Sequence, residues 1–79
     1  MVRIVANPRI LGGKPIVEGT RLSVEHILGL LASGMSHTEI IEDYPLLTEE
    51  SIRAVLAYAA KALRNKIVID VVSSRDGVS

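Results

Sequence analysis

The chain contains no cysteine, no tryptophan and no phenylalanine, and Tyr44 and Tyr58 are its only large aromatics. Without cysteine there are no disulfides and no thiolate metal sites. Without aromatic anchors the core has to be built from Ala, Val, Ile and Leu, which supply almost all of the 48% hydrophobic content. No apolar run approaches the roughly 20 residues needed to span a bilayer. The N-terminus lacks the basic stretch, apolar run and small-residue cleavage site of a secretory signal. A cytoplasmic protein is the expectation. Seventy-nine residues make one domain, 1–79, and a domain of that size buries a modest share of its surface. Association with a second copy is a reasonable source of further burial, so a homodimer is expected.

Net charge is absent as well: nine cations balance nine carboxylates. The balance hides a segregation. Residues 1–23 carry Arg3, Arg9, Lys14 and Arg21 against Glu18 alone. Residues 24–52 carry Glu25, Glu39, Glu42, Asp43, Glu49 and Glu50, with no lysine or arginine. Residues 53–79 are basic again, with Arg53, Lys61, Arg64, Lys66 and Arg75 against Asp70 and Asp76. Solvated faces on a small domain account for such runs. Basic flanks around an acidic centre are also suited to meeting phosphate.

Catalytic and metal-binding sets are missing too. Gly12-Gly13-Lys14-Pro15 is not a phosphate-binding loop, because Pro15 stands where that loop needs a Ser or Thr. His26 and His37 sit on different predicted helices and read as lone surface histidines, since a zinc site needs three or four convergent ligands. Glu39, Glu42 and Asp43 share one helical segment and could in principle hold Mg²⁺. Glu39 is better used as a helix cap, and a solvated polar face explains all three. No Ser/His/Asp set has an evident geometry. Neither an enzyme nor a cofactor is expected.

What is present is a pair of well-specified helices joined by a tight corner. Ser36-His37-Thr38-Glu39 fits a capping box, and Met35 with Ile40 fits the hydrophobic staple beside it. Ile40, Ile41 and Tyr44 give that helix one apolar stripe. Pro45 stops it, because the residue before proline is driven from helical angles. Thr48 caps the next helix, and Leu47 with Ile52 repeats the staple. Ile52, Val55, Leu56, Ala59 and Leu63 then recur at helical spacing. This is the signature of a helix-turn-helix unit, which these residues favour over an αα-hairpin that only packs. Upstream, Ser23 caps a helix whose apolar face is Val24, Ile27, Leu28 and Leu31, and Gly34 ends it in a left-handed cap. Gly29 inside that helix costs about 1 kcal/mol relative to Ala. It either admits a neighbouring helix or is a tolerated defect.

The ends read as β structure. Val2–Val5 is a short β-prone run closed by the Asn7-Pro8 turn. Ile16-Val17 and Arg21-Leu22 flank Glu18-Gly19-Thr20 and predict a small hairpin. The last helix should reach Arg64 or Asn65, with Asn65 as a left-handed cap. Ile67–Val72 reads as a C-terminal strand in search of a partner edge, and residues 73–79 as a polar tail. The chain thus divides into a β-rich arm (1–22), a three-helix unit (23–65), and a terminal strand and tail (66–79).

The stretch from Asn7 to Ala60 closely resembles domain-of-unknown-function family 433, whose members are small prokaryotic proteins predicted to be antitoxins. The resemblance rests on Asn7-Pro8, Gly12-Gly13-Lys14-Pro15, Gly19-Thr20-Arg21, Gly34-Met35-Ser36 with Glu39-Ile40, Asp43-Tyr44-Pro45 with Leu47-Thr48, and Ala57-Tyr58-Ala59. It covers about two-thirds of the chain without a gap. It implies a mainly α fold: a homeodomain-like three-helix domain with a β-rich N-terminal arm. It also implies a type II toxin–antitoxin pair, with a PIN-like ribonuclease toxin as the partner protein.

Two functions follow as expectations. In a helix-turn-helix the second helix leads into the major groove with its N-terminal residues, here Glu49 and Glu50, which repel phosphate. Binding to operator DNA would therefore lean on Arg3, Arg9, Lys14 and Arg21, with Arg53 on the helix itself. Binding to a toxin would use the orphan edge of Ile67, Val68, Ile69 and Val71, since strand addition suits such a segment. Arg75 beyond it carries a forked guanidinium that matches the carboxylate cluster of a metal-dependent ribonuclease. An operator-binding regulator with no toxin partner is the alternative.

Overall fold

The computed structural model of the chain describes residues 1–64. The predicted C-terminal strand Ile67–Val72, the Asn65 cap and the 66–79 tail lie outside the described residues. The order is β1 (Ile4–Ala6), a 3₁₀ turn at Leu11–Gly13, β2 (Pro15–Val17), α1 (Val24–Ala32), α2 (His37–Asp43) and α3 (Glu49–Arg64). The domain is mainly helical, with one two-stranded antiparallel sheet near its N-terminus.

Local chemistry explains most of the boundaries. Ser23 Oγ accepts from the His26 N–H at 2.9 Å and opens α1. The helix closes in a Schellman motif: Gly34 N–H donates to the Leu31 carbonyl and Met35 N–H to the Leu30 carbonyl, with Gly34 at φ +101°. The capping box of α2 is complete. Glu39 N–H donates to Ser36 Oγ at 3.1 Å, and Ser36 N–H donates to Glu39 Oε1 at 2.8 Å. Tyr44, driven off helical angles to φ −128° and ψ 83° ahead of Pro45, ends α2. Thr48 caps α3 as expected, and Ser51 returns the bond: Ser51 N–H donates to Thr48 Oγ1 and Thr48 N–H to Ser51 Oγ.

The β-rich arm differs from its prediction. The main ladder joins β1 to β2, in the register Ile4–Val17, Val5–Ile16 and Ala6–Pro15. The expected pairing of Ile16-Val17 with Arg21-Leu22 shrinks to a single backbone bond from Val17 N–H to the Leu22 carbonyl and an isolated Ile16–Ser23 bridge. Ser23 is already the cap of α1, so the returning strand has no length left in which to pair.

The core is one cluster of buried aliphatics: Val17 from β2, Val24 and Ile27 from α1, Ile40 from α2, Leu47 from the corner, and Ile52 and Val55 from α3. Each such side chain contributes roughly 1.5–3 kcal/mol on burial. The members of both staple pairs share this cluster: Leu47, Ile52 and Ile40 are fully buried and Met35 packs against it. The helical stripe on α3 is only half used. Ile52 and Val55 are in the core, whereas Leu56 is 40% and Leu63 52% exposed. The 16-residue helix is about 24 Å long and the nine-residue α1 about 14 Å.

Candidate interaction surfaces

Two of the five candidate DNA-contacting cations are engaged in ion pairs. Arg3 pairs with Glu18 at 3.9 Å, and Lys14 pairs with Glu25 at 3.1 Å. Arg9 is exposed in a turn where its own N–H donates to Asn7 Oδ1 at 2.9 Å. Arg53 is exposed on the first half of α3. What the fold does bring together is Lys14 and Arg21. They line one groove with Ser23, Glu25 and His26 at the start of α1.

Thr20 sets the turn that carries Arg21. Gly19 takes φ +86°, which side chains other than glycine rarely adopt, and Thr20 then turns inward to 8% exposure. Its hydroxyl donates to the Val17 carbonyl at 2.8 Å and accepts from Leu22 N–H at 3.0 Å. This residue carried no role in the sequence reading; its signal was its place after a glycine between two apolar pairs.

His26 is exposed and His37 half-buried, and each has a partner. His26 Nε2 lies 3.1 Å from the Tyr44 hydroxyl, with the two rings edge to face, and links α1 to the end of α2. His37 Nδ1 lies 2.5 Å from Glu49 Oε2 and ties the first turn of α2 to the first turn of α3. Sequence separations of 18 and 12 residues gave no sign of either pair. Glu49, expected to face DNA, is thus engaged within the corner. Glu39 is spent on its capping box. Among the described residues no three of His, Asp and Glu converge to hold a metal ion.

Two further grooves are apolar. One lies between the arm and the α2–α3 corner, where Ile10, Ile16, Tyr44, Pro45 and Leu46 meet Gly19, Thr20 and Arg21. The other runs between α1 and the far end of α3. Val24 and Leu28 form one wall, Tyr58, Ala59, Ala62 and Leu63 the other, and the Lys14–Glu25 pair the rim. The toxin-binding candidates Ile67, Val68, Ile69, Val71 and Arg75 lie outside the described residues, in the chain that follows Leu63 and Arg64.

The family model for a protein of unknown function, DUF433, matches residues 4–59. The chain belongs to the DUF433 family. The resemblance drawn from Asn7 to Ala60 is therefore borne out at the level of family. The fold agrees: this DUF433 chain is similar to the crystal structure of a DUF433 member from Anabaena variabilis, with a TM-score of 0.72 and 26% identity over 78% of this chain and 61% of that one. It is also 39% identical over 64 residues to the uncharacterised protein y4eO of Sinorhizobium fredii. That match covers 80% of this chain and 29% of the relative, so the chain spans less than a third of that protein's length. No helix among the described residues is long and apolar enough to cross a membrane.

Proposed function

We propose that this DUF433 chain is a protein-binding module, the antitoxin of a type II pair, which neutralises a PIN-like ribonuclease by direct contact. The observation that carries the reading is the C-terminal half of α3. Its buried residues, Ser51, Ile52 and Val55, all lie in the first half, the second half lines an apolar groove, and the apolar run Ile67–Val72 follows in the sequence. Such an end is suited to gripping another protein. Arg75 follows the apolar run closely enough to reach a carboxylate cluster.

Operator binding is the second role, and the groove lined by Lys14 and Arg21 favours it. It is the lesser one. α3 opens on Glu49 and Glu50, and two of the five candidate cations already hold carboxylates, so phosphate contacts would be few. A regulator with no toxin partner would rest on that groove alone.

The test is co-expression with a ribonuclease encoded beside this chain, followed by affinity capture in high salt. A complex built on apolar contact survives salt, whereas one built on exposed charges is screened. Capture lost at high salt, with operator DNA retained at low salt, would favour the regulator.

A further inference from the structure

We infer that the apolar groove between α1 and the second half of α3 is the seat of this chain's own residues Ile67–Val72, folded back in cis. The groove needs an occupant. Leu56, Tyr58 and Leu63 are 40%, 39% and 52% exposed on a helix half that has no buried residue. Half a helix of this kind is marginal in water unless its apolar face is covered. Ala59 and Ala62 leave the α3 wall shallow, which admits an extended backbone beside Leu28 and Leu63.

The chain beyond α3 has the reach and the pattern. Leu63 is the end of the groove, and only Arg64, Asn65 and Lys66 separate it from Ile67. Asn65 tolerates the left-handed conformation that reverses a chain. From Leu63 back to Tyr58 the helix rises about 7.5 Å. Six extended residues span about 20 Å, enough to continue to Leu28 and Val24 on α1. Alternation in an extended segment places Ile67, Ile69 and Val71 on one face and Asp70, the only charge, on the other. Lys14 lies on the groove rim, a cation available to Asp70. A three-residue connection also gives the segment an effective concentration in the millimolar range, against which a second copy competes poorly. A partner that takes Ile67–Val72 must first lift it and bare the groove. The docking itself does not depend on that partner being a ribonuclease.

The absence of cysteine makes the test direct. In the full chain, Leu28→Cys is combined in turn with Ile67→Cys, Ile69→Cys and Val71→Cys, with Leu28→Cys plus Asp76→Cys as the tail control. Mild oxidation should link at least one of the three pairs within a single chain, faster than the control and at a rate independent of dilution. In parallel, Ile69→Asp should speed amide exchange across residues 56–64 and leave that of 51–55 unchanged, a readout that needs no disulfide. Covalent dimers that grow with concentration would assign the groove to a second copy and overturn the proposal. Linkage no faster than the control, with unchanged exchange in Ile69→Asp, would overturn it in favour of a separate partner.

Discussion

Replacing Thr20 with valine isolates the bond that shapes the arm. The side chain keeps its size and loses its hydroxyl. The Val17 carbonyl still receives Thr20 N–H at 3.0 Å, so it loses one of two donors. Leu22 N–H loses its acceptor, Thr20 Oγ1, at a half-buried position. A buried donor left without a partner costs about 1–3 kcal/mol. Thr20→Ser keeps both bonds and removes one methyl, worth about 0.8 kcal/mol. The expected order of stability is therefore wild type, then serine, then valine. In a domain of this size 1 kcal/mol moves the melting temperature by roughly 4–8 °C, so thermal melts followed by circular dichroism resolve the series. A valine variant as stable as the serine variant would show that the hydroxyl does not hold the turn.

Three other outcomes follow from the same structure. Gly29 faces open space, with nothing within 4 Å of where a Cβ would stand, so Gly29→Ala should raise stability by about 1 kcal/mol in urea unfolding. For any DNA binding, Arg9→Ala and Arg21→Ala should each lower the log–log salt slope by about 0.9, and Glu50→Gln should tighten nonspecific binding. Among the described residues β1 pairs with β2 alone, and a small aliphatic core gains burial from a second copy, so light scattering should give twice the chain mass.

The helices were legible because their signals are local. Ser36 with Glu39, Gly34 after α1, and Pro45 after Tyr44 act within one turn of the chain, and nothing distant overrode them. The arm was less legible. Its ladder joins Ile4–Ala6 to Pro15–Val17 across the Gly12-Gly13 turn, and strand pairing over that distance has no local marker. The α3 stripe was legible as a period, since Ile52, Val55, Leu56, Ala59 and Leu63 all lie on one helix, but periodicity reports which face is apolar and not how much of it is covered. The site was the least legible part. Five cations are visible as a count, but only the fold shows that Arg3 and Lys14 are paired, that Lys14 and Arg21 share a groove, and that Glu49 is held by His37.

Silencing of a partner ribonuclease by residues 67–75 is what the proposed function requires. Ribonuclease activity of the co-purified pair, measured with wild-type chain, with Arg75→Glu and with a chain truncated after Ser73, tests it most directly. The account predicts full inhibition by the wild type and release of activity by both variants, with melting temperature and dimer mass unchanged. Full inhibition by the truncated chain would contradict it and would move the contact to the acidic face of α2.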